Sequence, residues 1–564
     1  MRPDPSAEAI SRHSALDRLS WPPILFASRL NRFALMKLGA ALPVGGTLHV
    51  FRNHAFEGVA SALAPFLDYA GVPLRPEIGA YDDSLALPNG PMDAAVVWMD
   101  FSRYPRLQDD ELVAWLIGRL DGLRSQTTGP IVVANSPDSD TRSRRVNEEL
   151  QAWCDRTPAA AILPLDATAE RIGAQAFDDA RAALTGTRLS DQTCLEAARS
   201  LVLEGLAGRY APPVKAVAVD LDHTLYEGVL GEDGPEGVVL TEGHRRLQEE
   251  LAGLAARGVL LTVLSRNEPE DVEKLFSARA DFPLRPDMIS DWQVGWGRKS
   301  DGILKSAKRF NIGPDSFLLL DDNIGELVET AAAIPGLRQL HAGADPALTA
   351  RALARQPGLA GAGAAFAGRA SDLQANVQRL ELVEAFEDDN AYLEALQVEL
   401  RFELNPKDRL GRLAELSRKT NQFNLSLRRL DEVAVSRYLN DADQGAVHIS
   451  LADRLADSGS VAAVFVRRED GRLIVDELCV SCRALGRRLE DVMIASACIG
   501  AAQLLGATEI VFDYRAGPRN QPALDWLAAF AHVSGMGAEG RVVVPLSVLE
   551  ATPARPVTMS WIDA

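Results

Sequence analysis

Residues 215–224 read Lys-Ala-Val-Ala-Val-Asp-Leu-Asp-His-Thr, an apolar run that stops abruptly at Asp220, Asp222 and Thr224. Such a run, β-branched at Val217 and Val219, predicts a strand buried on both faces, as in a parallel sheet. Open α/β sheets keep their active sites beyond the C-terminal ends of these strands. Two carboxylates placed there are hard oxygen ligands suited to Mg²⁺. An Asp beside a bound cation can attack phosphorus as a nucleophile, and a second can move a proton. A solvated turn after a strand would also read Asp-x-Asp-x-Thr, so the assignment depends on the rest of the chain.

Matching elements follow in order. After a predicted helix over Thr241–Arg257, residues 259–265 (Val-Leu-Leu-Thr-Val-Leu-Ser) form a second buried-strand pattern ending in Ser265, a neutral donor for a phosphoryl oxygen. Lys299 stands directly before a short helical pattern. Residues 316–323 (Ser-Phe-Leu-Leu-Leu-Asp-Asp-Asn) then give another apolar strand ending in the pair Asp321 and Asp322. Candidate phosphate ligands are Thr224, Ser265, Arg266, Asn267 and Lys299. Candidate metal ligands are Asp220, Asp222, Asp321 and Asp322. This ordered set resembles the haloacid dehalogenase (HAD) superfamily of phosphotransferases.

The chain has 564 residues and a net charge of −19. Its length suggests three or four domains. The acidic balance leaves no basic surplus for general nucleic-acid binding. No basic segment followed by an apolar stretch marks a secretory signal, and no apolar run is long enough to span a membrane. The five cysteines (Cys154, Cys194, Cys479, Cys482 and Cys498) are an odd number, which fits free thiols in a reducing cytoplasm. Cys479 and Cys482 form a CxxC with no second pair to complete a zinc site. Packing and thiol chemistry both remain open for it, and Cys482 is a candidate thiol.

Residues 1–205 read as a first α/β domain. Its strands are predicted at Thr47–Phe51, Ala94–Met99, Pro130–Ala134 and Ala160–Leu165, with helices such as Ala55–Tyr69 and Leu107–Arg124 between them. Its layout resembles a degenerate SGNH-hydrolase domain. Arg52-Asn53-His54 holds the place of that family's nucleophilic serine, and no late Asp-x-x-His appears, so the domain reads as non-catalytic. His54 and Asp100 are strand-end polar residues. Residues 212–345 form the HAD-like domain, whose spacings hold no separate cap; a neighbouring domain would be the lid, if any. Residues 355–370 are an Ala/Gly-rich connection, followed by a helical pattern over Leu373–Leu396; together 355–396 is linker and helix. Residues 400–548 alternate as an α+β domain. Helices are expected at Leu410–Lys419, Leu430–Leu439, Gly486–Leu505 and Gln521–Phe530. Strands are expected at Ala446–Ser450, Ser460–Arg467, Arg472–Val480 and Glu509–Tyr514. This domain resembles the GNAT acyltransferases, which cradle a pyrophosphate on helix-N-terminal amides. The corresponding turn is Arg483-Ala-Leu-Gly486-Arg-Arg488, with Arg488 in place of the usual small residue. The fold class is therefore multi-domain α/β: a Rossmann-like parallel HAD sheet in the middle, an SGNH-like α/β domain before it and a GNAT-like α+β domain after it.

Narrower strings accompany these patterns: Gly228-Val-Leu-Gly-Glu-Asp-Gly234, Leu264-Ser-Arg-Asn-Glu-Pro-Glu-Asp-Val272, Trp296-Gly-Arg-Lys299-Ser300, Lys419-Thr-Asn-Gln-Phe-Asn-Leu425 and Ser481-Cys-Arg-Ala-Leu-Gly486. Together they resemble the FkbH-like family over about residues 212–530. That resemblance implies polyketide and peptide natural-product pathways, antibiotic biosynthesis among them. The family type takes a glyceryl unit from 1,3-bisphosphoglycerate, loses phosphate and loads an acyl carrier protein as a thioester. The resemblance implies Asp220 as nucleophile and Mg²⁺ ligand. It implies Asp222 as general acid/base, ligating only through its carbonyl, and Ser265 as phosphate ligand. Lys299 would neutralise phosphate charge. Asp322 is the first choice for the remaining metal ligand, with Asp321 as partner of Lys299; the reverse stays open. Family members have Asn, Trp and Gly where this chain has His223, Tyr226 and Glu227, which makes these three the substrate-selectivity positions. No cysteine lies between the two acids of the first strand, so the thiol is either Cys482 or the phosphopantetheine of an acyl or peptidyl carrier protein. Two other functions fit the residues: an Mg²⁺-dependent phosphatase or phosphotransferase on another biosynthetic intermediate, and a carrier-docking scaffold. A docking patch would have to be locally basic; Arg483, Arg487 and Arg488 are candidates, with a solvated helix face as the alternative.

Overall fold

The computed structural model describes residues 17–38, 45–81, 92–180, 182–359, 379, 382, 386, 388–481, 483–485, 487–517 and 519–562. They fall into two compact units, one within Met1–Ala307 and Gly313–Ala364, the other within Lys308–Ile312 and Ala365–Ala564.

The first unit holds two five-stranded parallel sheets. The first comprises β1 (Gly46–Arg52), β2 (Leu74–Tyr81), β3 (Ala94–Trp98), β4 (Ile131–Ala134) and β5 (Ala160–Leu163), in the order β2-β1-β3-β4-β5. β3 and β4 are buried at every position, as their unbroken apolar sequences require. Trp98 closes β3: its ring stacks on His54, meets Phe56 edge-on and donates Nε1–H to Ala55 O.

The second sheet comprises β6 (Ala216–Val219), β7 (Leu260–Ser265), β8 (Asp291–Val294), β9 (Phe317–Asp321) and β10 (Arg338–His341), in the order β10-β9-β6-β7-β8. β6, β7 and β9 are buried throughout. The chain moves from β6 outward through β7 and β8, then crosses back to β9 on the other side. The reversal of strand order therefore falls between β6 and β9, where a crevice opens beyond the strand ends. Helix Glu242–Ala256 is N-capped by Thr241, whose side chain accepts from His244 N. It lies close against helix Pro346–Ala354: a Cβ on Gly243 would stand 2.7 Å from Pro346 Cγ. The first sheet's helix Glu57–Ala70 is tied to this region by Tyr69, which donates to Gln356 Oε1 at 2.8 Å.

The second unit is built on a seven-stranded mixed sheet, ordered β16-β15-β14-β13-β12-β11-β17. Its strands are β11 (Glu399–Leu404), β12 (Gln444–Ala452), β13 (Asp457–Glu469), β14 (Arg472–Val480), β15 (Glu509–Arg515), β16 (Glu539–Pro545) and β17 (Thr558–Ile562). β11 to β14 are antiparallel, whereas β14 and β15 run parallel.

The fold class read from the sequence is the one observed. Strands β2, β8, β10, β11, β16 and β17 carry no expectation; five of them are sheet edges, and β11 lies next to the edge strand β17. β2 contains Pro76 and is largely exposed, β10 is polar, and β17 is exposed throughout. Edge strands are kept polar or short, so they lack the apolar run that marks a buried strand. The helix expected from Gly486 begins at Glu490, because Arg488 adopts a left-handed conformation (φ 59°) that ends any helical path before it. Of the helix expected over Leu373–Leu396, Asp389–Leu396 is observed; residues 373–378, most of the Ala/Gly-rich connection and Gly486 lie outside the described residues.

Trp98→Ala removes the side chain that joins β3 to the segment after β1. It should destabilise the first unit by about 3–5 kcal/mol, measurable as a lowered denaturation midpoint.

Candidate functional site

The chain leaves β6 at Asp220, β7 at Ser265 and β9 at Asp321, so three buried polar residues meet at the crevice between the strand ends. Lys299 reaches them from the first position of helix Lys299–Phe310. Its Nζ lies 2.9 Å from Asp220 Oδ1 and 2.5 Å from Asp321 Oδ2. Burial opposes its charge, but the two carboxylates outweigh that and hold its pKa above the ordinary lysine value. Asp321 is fully buried, and its second oxygen accepts from Asn323 N at 2.9 Å. Lys299 thus bridges Asp220 and Asp321.

Asp322 is half-buried beside them, and Asp220, Asp321 and Asp322 each offer an oxygen within 4.8 Å of the others. One ammonium does not balance three carboxylates. Burial pushes the Asp220 pKa up to about 7, with Lys299 opposing and Asp321 adding. Asp322 is likewise raised, first by burial and then by Asp321. Excess negative charge in a desolvated crevice, carried by hard oxygen donors, fits a divalent cation such as Mg²⁺.

Asp222 takes no part in that cluster and is held in a separate cage. Its Oδ1 accepts from Tyr226 Oη at 2.7 Å and from Leu230 N at 2.9 Å; its Oδ2 accepts from Asn267 Nδ2 at 2.8 Å. Asn267 also donates to Ser265 Oγ at 2.9 Å, which ties the ends of β6 and β7 together. Tyr226, fully buried and stacked on Phe282, is thus a positioning group for Asp222; burial raises its pKa, and its hydroxyl stays protonated. The sequence marks Tyr226 as unusual but gives no sign of this bond. Thr224 is buried with its Oγ1 unpartnered.

The remaining expected residues are placed less deeply. Arg266 is exposed and pairs with Glu326 Oε1 at 2.6 Å. His223 is exposed in a left-handed conformation (φ 55°), close enough to bear electrostatically on Asp322. Glu227 is exposed, and its backbone exchanges hydrogen bonds with Val239. The stretches between these residues hold core elements and a short flap: a segment Leu230–Gly237 broken at Gly234, and helix Pro269–Ala278 packed on it.

In the first sheet, Asn53 Nδ2 donates to Asp100 O and its Oδ1 accepts from Asp100 N, so the residue at the serine's place clamps β1 to β3. His54 is buried and bonded through Nδ1 to Thr187, and burial lowers its pKa to about 4. The described cysteines are buried and unpaired. Burial pushes Cys154, Cys194 and Cys498 up to about 12, and Cys479 well above its ordinary value. These thiols are packed rather than activated; Cys482 lies outside the described residues.

The third sheet closes its own opening. β14 and β15 pair only as far as Val475 and Phe512. Beyond that point Phe423–Leu425 lies between them: Leu425 N donates to Leu478 O, Val480 N to Phe423 O, and Arg515 N to Leu425 O. Asn424, fully buried, fixes the insert by donating to Glu477 Oε1 and accepting from Leu427 N. The Lys-Thr-Asn-Gln-Phe-Asn string is therefore a structural insert. The basic turn beside it is also engaged: Arg483 donates to Ser460 O, Arg487 pairs with buried Asp453, and Arg488 pairs with Asp389. Of the three, Arg487 is buried, whereas the Arg488 side chain stays half-exposed.

No protein-family model and no curated protein matches the chain. Solved structures do. The N-terminal part of BF1531 from Bacteroides fragilis, containing a phosphatase domain complexed with Mg, is similar over 58% of this chain and 97% of its own, at 19% identity and a TM-score of 0.45. Spermidine/spermine N-acetyltransferase SpeG from Vibrio cholerae is similar over 27% of this chain and 96% of its own, at 11% identity and a TM-score of 0.20. No described helix is long and apolar enough to cross a membrane.

Tyr226→Phe deletes one buried hydrogen bond to the Asp222 carboxylate and should destabilise the first unit by about 1.5–3 kcal/mol, read by denaturant titration. In the second unit, excess coenzyme A should leave the melting temperature unchanged, and calorimetry should show no binding heat. Asn424→Ala should destabilise that unit by about 1–3 kcal/mol, read by denaturant titration.

Proposed function

We propose that the protein is an Mg²⁺-dependent phosphatase and acyl-loading enzyme of the FkbH type, acting on a phosphorylated three-carbon, glyceryl-type donor. The observation that carries this reading is the buried cluster of Asp220, Asp321 and Asp322 around Lys299, with Asp222 caged separately. A cation held by Asp220 and Asp322 would neutralise phosphoryl oxygens and developing charge. Asp220 attacks a phosphomonoester at phosphorus, and the alkoxide leaving group takes a proton from Asp222, which Tyr226 and Asn267 orient. Water then cleaves the aspartyl phosphate, with Asp222 as base. Lys299 holds Asp220 in place and balances the charge of the phosphate.

Loading is a separate displacement at carbon. The thiolate of a carrier's phosphopantetheine attacks the acyl-phosphate carbonyl; a thioester forms as the carbon–oxygen bond to phosphate breaks. Attack by Asp220 at that phosphorus would release only the free acid, so the two phosphates must be handled differently. The packed state of the described cysteines supports direct attack by the carrier's thiol.

A phosphatase acting on another biosynthetic intermediate is the second reading, favoured by His223 and Glu227 at the mouth of the site. The two separate in one assay. With 1,3-bisphosphoglycerate, Mg²⁺ and a holo carrier, loading predicts a carrier mass increased by the acyl unit; phosphate release with no gain on any carrier supports the phosphatase alone. Asp220→Asn should abolish phosphate release, and chelation of Mg²⁺ should do so reversibly; full activity in either case overturns the site.

A further inference from the structure

A cleft of about 150 Å³ borders the site, with Ser265 and Lys299 in its lining. Four cations line it: Arg266, Arg298, Lys299 and Lys305. Two are already neutralised, Arg266 by Glu326 and Lys299 by Asp220 and Asp321. Arg298 and Lys305 have no ion-pair or hydrogen-bond partner for their side chains among the described residues. They stand seven positions apart, the second on helix Lys299–Phe310, a spacing that returns to one helix face. Asp301 is the one acid on the cleft wall. The entrance has little side-chain obstruction: a Cβ at Gly295 or Gly297 would meet nothing within 4 Å. Trp296 beside them is exposed, its indole fixed by a 2.9 Å bond from Nε1 to Glu268.

In a chain of net charge −19, unpaired cations along a cleft that borders the proposed phosphoryl site mark where negative charge is received. We propose that Arg298 and Lys305 form a distal anion subsite that sets substrate choice, taking a phosphate or carboxylate at the opposite end of the donor from the phosphoryl group that Asp220 attacks. This rests on the reading of Asp220 as the phosphoryl acceptor. It explains how a short donor with charge at both ends lies in one orientation.

The test compares three probes: glycerol 3-phosphate, with a neutral far end; 3-phosphoglycerate, with a carboxylate; and glycerol 1,3-bisphosphate, with a second phosphate. Phosphate-release kinetics are measured on the wild type and on an Arg298→Ala/Lys305→Ala variant. Binding of the same probes is measured by calorimetry on Asp220→Asn and on the triple variant. The wild type should favour one or both doubly anionic probes by about tenfold in KM, and the loss of both cations should collapse that ratio toward one. Whichever probe holds the advantage identifies phosphate or carboxylate as the group received. A ratio unchanged by the substitutions, or no preference in the wild type, overturns the subsite even where turnover is normal. A charge-dependent binding preference that the substitutions erase supports it even where no probe is turned over, and that outcome counts against the phosphoryl-acceptor reading alone.

Discussion

The functional region is organised around one ammonium group. Lys299 Nζ sits between Asp220 and Asp321 at the ends of two adjacent buried strands, within 2.9 Å of both. Desolvated carboxylates this close repel each other, and burying them without compensation would cost several kcal/mol. Lys299 supplies the compensation from a third direction, the start of a helix. Burial first, and Asp321 after it, still raises the proton affinity of Asp220 and Asp322. A site of this kind is suited to a divalent cation.

Topology explains why those groups meet. β6 and β9 are neighbours, yet about a hundred residues separate them in sequence. The crossover places β7 on one side of β6 and β9 on the other, which brings Ser265 and the acid pair to opposite sides of Asp220. The sequence shows this because each strand is buried on both faces, so its apolar run ends sharply where the polar residues of the crevice begin. Asp220, Ser265 and Asp321 are legible for that reason. The choice between Asp321 and Asp322 as partner of Lys299 is ranked but left open there, since adjacent acids look alike until the backbone aims them. Tyr226 is missed as a positioning group for a related reason: a buried tyrosine four residues after Asp222 looks like core until its hydroxyl is seen on the carboxylate.

The other sheets show how function-like sequence can be structural. Asn53 and His54 stand where a hydrolase would place its nucleophile, but they clamp strands and stack on Trp98. Asn424 belongs to a specific string, yet its side chain and backbone fill the gap between β14 and β15. Arg483, Arg487 and Arg488 look like a basic patch, yet each has a partner within its own unit. Net charge and motif strings do not reveal such pairings; only the fold shows which charges remain available. Among the described residues, Arg298 and Lys305 line the neighbouring cleft without an ion-pair partner.

The central claim is that Asp220 itself takes the phosphoryl group. Mixing the protein with Mg²⁺ and a phosphorylated three-carbon donor, quenching in acid within the first turnover and mapping peptides by mass tests it directly. The account predicts one phosphoryl group on the peptide containing Asp220, absent from Asp220→Asn and chased away by further incubation. Turnover with no phosphorylated intermediate on that peptide, or the same adduct in the Asn variant, would contradict it.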